Sequence, residues 1–109
     1  MTDLYSELKK LNGRNCFALT RNIPARMYID DQKVTIVYQS GNTIKLPRSM
    51  IMEAIHKLQR NRMLTLEEVH MEITNQNGPQ TDRLLAVLRE LPGVEFTPSP
   101  RALYLKKKN

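Results

Sequence analysis

Apolar positions follow two periods along this chain, and the period changes at Leu46-Pro47. Over residues 15–46, short β-type stretches, the clearest alternating at a spacing of two, are broken by turn-forming clusters. Lys33 to Gln39 is rich in β-branched residues. Val34, Ile36 and Tyr38 fall on one face, and Lys33, Thr35, Val37 and Gln39 fall on the other. Val37 is an apolar residue on the polar side. Cys16 to Leu19 is a short apolar run, Ala25 to Ile29 continues in β-type residues after Pro24, and Thr43 to Leu46 can pair back. Asp30-Asp31-Gln32 and Ser40-Gly41-Asn42 are turns, so the pattern predicts an antiparallel meander of three or four strands. A short helix precedes it. Thr2 or Asp3 can cap it, Leu4, Leu8 and Leu11 form its apolar face, and Asn12-Gly13 stops it.

After Pro47 the spacing becomes helical. Met50, Ile51, Ala54, Ile55 and Leu58 recur at about 3.6 residues, with Arg48, Glu53, Lys57 and Arg60 outside. Pro47 suits the first turn, where its missing N–H would be unpaired anyway. Thr65-Leu66-Glu67-Glu68 is a capping box and predicts a helix over 66–75 with Leu66, Val69 and Ile73 inward. Asn75 to Gly78 closes that helix and Pro79 starts another. Leu84, Leu85, Val87, Leu88 and Leu91 face inward until Pro92-Gly93. Val94 to Thr97 and Ala102 to Leu105 are strand-like and are joined through Pro98-Ser99-Pro100-Arg101, a hairpin with a stiff tip. The expected fold class is α+β. Residues 1–46 would form a helix and small sheet, and residues 47–109 three helices and a hairpin, within one compact unit.

At 109 residues there is room for one modest core. The chain has no Trp, two Phe and four Tyr, so Leu, Ile, Val and Met must fill it. Seventeen Lys and Arg against eleven Asp and Glu give +6, which favours a polyanionic partner, nucleic acid first. That excess is also ordinary for a small soluble domain. It is evenly divided: seven basic against four acidic residues in 1–46, and ten against seven in 47–109, +3 in each. Cys16 is the single cysteine, so no intramolecular disulfide can form. No apolar run approaches the roughly 18 residues of a span, and Met1 to Lys10 lacks the apolar stretch of a secretory signal. A cytoplasmic protein away from membranes is expected.

The order from Pro47 to Lys108 resembles the winged helix-turn-helix superfamily. Leu66–Asn75 would be the bracing helix and Pro79–Leu91 the reader. Met63 and Leu64 would be the short strand that pairs with the hairpin, or wing. The resemblance rests on element order and length rather than on a diagnostic motif. It implies a duplex DNA-binding protein, a small regulator or accessory factor, whose reader helix enters the major groove. Gln80, Thr81, Arg83 and Arg89 would lie on the reader's exposed face, the first three nearest the bases. Arg101 at the wing tip would make a minor-groove or phosphate contact, and Lys106, Lys107 and Lys108 beyond it would contact phosphates. Each has a plainer reading: a solvated face for the arginines, helix capping for Gln80 and Thr81, a solubilising tail for the lysines. Glu67, Glu68 and Glu72 would oppose DNA if they faced it.

Two other functions stay open. Residues 1–46 could form a homodimer or protein-docking surface, making the chain an assembly subunit or small inhibitor. Alternatively, Lys9, Lys10, Arg14, Arg21, Arg26 and Lys45 interleave with Tyr5, Tyr28 and Tyr38, a composition that can stack single-stranded bases on a sheet. Nothing suggests catalysis or a cofactor. His56 and His70 lie on different helices, Asp30-Asp31 reads as a turn, and no spacing resembles a zinc site or a phosphate loop. Glu7-Leu8-Lys9 matches a nuclease triplet by letter only, and Cys16 sits in an apolar run that favours burial.

Overall fold

Alternation in residues 24–38 builds a sheet with one dry face. The computed structural model describes residues 4–17, 24–98 and 101–106. Strands β1 (Asn15–Phe17), β2 (Pro24–Ile29), β3 (Lys33–Tyr38) and β4 (Thr43–Pro47) pair antiparallel in sequence order. Ala25, Met27, Ile29, Val34, Ile36 and Leu46 are buried on the inner face. The β2–β3 turn is held by the Asp30 carboxylate, which accepts from the backbone N–H of Gln32 (2.7 Å) and Lys33 (2.9 Å). Those bonds, Gln32 first, hold the Asp30 carboxyl below the usual range. Helix α1 (Leu4–Lys9) buries Tyr5 and Leu8, and the Tyr5 hydroxyl donates to Asp30 O at 2.8 Å. Burial pushes the Tyr5 hydroxyl pKa up, against the opposing charge of Arg48. The expected Thr2 or Asp3 cap, Ala18 and Leu19 of the apolar run, and Arg21 lie outside the described residues.

Helix α2 (Arg48–Asn61) buries Ile51, Ala54, Ile55 and Leu58 at the expected spacing. Pro47 is its extended N-cap (φ −59°, ψ 149°) and the last residue of β4. Strand β5 (Met63–Thr65) leads into the capping box: Glu68 N–H donates to Thr65 Oγ1 at 3.0 Å, and Thr65 N–H donates to Glu68 Oε1 at 3.2 Å. The expected continuous helix over 66–75 is not formed. Helix α3 covers only Leu66–Glu68, and Val69–Ile73 is a π-turn. Its wider winding ends where Thr74 N–H reaches back five residues to Val69 O at 2.9 Å. Asn75 and Gln76 then both take positive φ, 52° and 66°, and reverse the chain.

Helix α4 (Gly78–Arg89) is capped by Asn77, whose side chain accepts from Gln80 N–H at 3.1 Å. Strands β6 (Val94–Pro98) and β7 (Arg101–Leu105) follow, and the second sheet runs β5-β7-β6, all antiparallel. Leu84 to Leu88 of α4 are all buried, so this helix is dry around most of its circumference. It packs against β1 and β4 of the first sheet, β6 of the second, and the α3 region. One cluster of buried side chains joins the inner face of the first sheet to α1, α2, α4, Leu64 and Leu103. The fold is α+β with two antiparallel sheets. Among the described residues, no helix is long and apolar enough to cross a membrane.

Candidate functional site

The residues expected on the exposed face of α4 are mostly engaged inside the protein. Thr81 is 2% exposed. Its hydroxyl donates to Asn77 O at 2.8 Å and lies 2.5 Å from Thr74 Oγ1 and 3.2 Å from His70 Nδ1. Arg83 is also 2% exposed. Its Nε donates to the Tyr38 hydroxyl at 2.9 Å, and its guanidinium stands 4.6 Å from the centre of the Tyr38 ring. Gln80 is half-buried and donates through Nε2 to Lys45 O of β4 at 3.1 Å. These three residues therefore do not present the exposed reader surface expected of them. The first sheet and the π-turn cover the half of α4 that would face a groove.

The remaining candidates do not converge. Arg89 is half-buried, with its guanidinium 6.0 Å from the Phe96 ring centre. Arg101 is exposed at the start of β7. Lys106, just past the other end of β7, pairs with Glu95 at 3.0 Å. The Cα atoms of Arg101 and Lys106 are therefore about 17 Å apart along an extended strand. Lys107 lies outside the described residues, as does Lys108.

A different surface is assembled by the first sheet. The side chains that alternate away from its buried face include two rows across the strands. In one row Asn15 of β1 pairs with Arg26 of β2, which pairs with Val37 of β3, which pairs with Thr43 of β4. In the next, Tyr28 pairs with Thr35, which pairs with Lys45. Tyr28 is 45% exposed, and Arg26 and Lys45 are exposed beside it. An open depression of about 430 Å³ lies here, with Asn15, Arg26, Tyr28, Val37 and Gln39 among its lining residues. Half-buried Val37, the apolar exception to the alternation, contributes apolar surface to it.

The charge of this face is one-sided. No strand of the first sheet contains an Asp or Glu. The nearest carboxylates in sequence, Asp30 and Asp31 in the β2–β3 turn, pair with Lys33 and Lys9. Lys9 bonding, followed by its charge, holds the Asp31 carboxyl below its ordinary value. Of the three tyrosines read as possible stacking platforms, Tyr28 is the exposed one, although Tyr38 also borders the depression. Tyr5 is buried beneath the Arg48 guanidinium, 4.5 Å from its ring centre, and Tyr38 lies against Arg83. Asn15 and Gln39 are site residues that sequence reading passed over. Asn15 joins the face through its register opposite Arg26, and Gln39 borders it just past the end of β3.

Among the described residues, no group of three His, Cys, Asp or Glu is placed to hold a metal ion. Comparison with protein-family models, curated proteins and solved structures found no match to this chain.

Proposed function

We propose that this protein is a non-catalytic nucleic-acid-binding protein that holds its ligand on the outer face of the four-stranded sheet. The observation that carries this reading is the juxtaposition of exposed Tyr28 with Arg26 and Lys45 on strands devoid of carboxylates. Cations attract the phosphate backbone, and an exposed ring supplies a surface for a base. Residues 48–105 are read as a winged helix-turn-helix unit. This rests on the order α2, β5, α3, α4, β6, β7 and on the β5-β7-β6 pairing. In this reading the unit supports the sheet, because α4 is buried against it. A cytoplasmic location belongs to the same proposal.

A second reading keeps duplex DNA as the ligand and places it against the β6–β7 hairpin. Exposed Arg101 favours it, as does exposed Arg62, whose Nη2 donates to Lys106 O at 3.3 Å and so holds a guanidinium against the end of β7. Titration of single-stranded and duplex oligonucleotides against three proteins separates the two. The wild type is compared with the Arg26→Glu/Lys45→Glu double variant and with Arg101→Glu. Binding lost in the sheet variant and kept in Arg101→Glu supports the sheet. The reverse pattern supports the hairpin, and no binding by the wild type overturns both.

A further inference from the structure

The depression on the outer sheet face has the shape and chemistry of a seat for one unstacked base. We infer that it takes a single nucleotide from a single-stranded nucleic acid, with the base against Tyr28 and the phosphate toward Arg26. This rests on the sheet-face reading above and names the ligand class of that face.

Four observations converge on it. The volume, about 430 Å³, falls within the range of about 300–1,000 Å³ typical of small-molecule sites. Tyr28 presents an exposed ring on β2, where it pairs with Thr35 of β3, one residue past the stretch of β2 that β1 and Arg14 cover. Base–aromatic stacking uses the π-face of the base, which duplex pairing keeps inside the helix. Asn15 and Gln39 border the same depression with carboxamides, each offering both a donor and an acceptor for a base edge. Arg26 supplies a guanidinium suited to bidentate phosphate contact, and no carboxylate on the strands opposes it.

The arrangement also argues for a single strand over a duplex. The face is a sheet surface with a shallow hollow, and the helix that would enter a major groove is buried behind it. A single strand can run its phosphates past Arg26 and Lys45 and turn one base onto Tyr28 in the hollow. Recognition by stacking tolerates any base. The two carboxamides add preference without fixing one identity.

The test uses the full chain and oligonucleotides of equal length and charge. Eight-nucleotide dT and U strands are compared with an eight-nucleotide abasic strand, by fluorescence anisotropy at moderate salt. The wild type should bind dT or U at least about tenfold more tightly than the abasic strand. Tyr28→Ala should lose that difference and keep the abasic affinity, whereas Tyr28→Phe should retain it. The dT and U arms then tell which sugar is preferred. Equal binding of base-bearing and abasic strands overturns the base seat while leaving the cationic sheet face intact. Failure to bind any strand overturns the sheet-face reading and the inference with it. A dimer that dissociates in Tyr28→Ala would show a second copy as the occupant and would also overturn it.

Discussion

Arg83 of α4 donates through Nε to the hydroxyl of Tyr38 on β3 at 2.9 Å and lies 4.6 Å from the centre of that ring. Forty-five residues separate the two in sequence, and their contact fastens the central helix to the first sheet. A guanidinium this deeply buried is stable only with partners. Replacing Arg83 by Ala removes a charge-assisted hydrogen bond and a desolvated cation–π contact and leaves a cavity. Urea unfolding should show a loss of about 2–4 kcal/mol. Because the core is continuous, probes on the sheet and on the β6–β7 hairpin should report one shared transition. Two separate midpoints would contradict the shared core.

Thr65 and Glu68 share three hydrogen bonds at the entry to α3, the third from the Thr65 hydroxyl to Glu68 Oε1 at 3.1 Å. Thr65→Ala should destabilise the protein by about 1 kcal/mol, within the range of about 0.5–2 for lost N-caps. Thr65→Ser keeps the acceptor and should recover most of that loss. Both are measurable by the shift in urea midpoint at constant slope.

The hairpin carries a charge cluster with a defined pH signature. Tyr104 donates to Glu95 at 2.6 Å and Lys106 pairs with it at 3.0 Å. The Tyr104 bond first, then Lys106, holds the Glu95 carboxyl below its ordinary value. Its folded pKa is depressed, so its contribution is present above the unfolded value and is lost as pH falls through the folded one. Glu95 in turn raises Tyr104 and Lys106. Their contributions are present below their unfolded values and fade as pH rises through the folded ones. Glu95→Gln should therefore lower thermal stability near neutral pH. The gap from wild type should close toward about pH 3 and again toward about pH 11. The cluster is solvent-exposed, so salt should also narrow the gap. A gap independent of pH would contradict the assignment.

Local pattern made much of this fold readable before any coordinates. The spacing of Ile51, Ala54, Ile55 and Leu58 marks α2, and Thr65 with Glu68 marks the start of α3. Alternation through Met27, Ile29, Val34 and Ile36 marks the first sheet. The misreadings come from contacts that side-chain spacing does not encode. Arg83 looked exposed because charge favours water, and its partner Tyr38 is remote in sequence. Thr81 looked available because nothing local shows that Thr74 and His70 converge on it. Ala86, left out of the inward stripe, is buried because packing from several sides leaves α4 little open surface. The π-turn depends on Thr74 reaching Val69 rather than on side-chain spacing. The sheet face was half legible: Arg26, Tyr28 and Lys45 were recognisable as a basic and aromatic set. Alternation places Val37 and Gln39 on the outer face, but only the register sets Asn15 and Val37 on either side of Arg26.

Mapping the ligand surface by amide chemical-shift changes is the most direct test of where nucleic acid binds. The protein, isotopically labelled, is titrated with an eight-nucleotide dT strand. The sheet-face account predicts the largest changes at Asn15, Arg26, Tyr28, Val37 and Gln39, with Gly78–Arg89 and Arg101 little affected. Changes centred on α4 and the β6–β7 hairpin, with the outer sheet face silent, would contradict it.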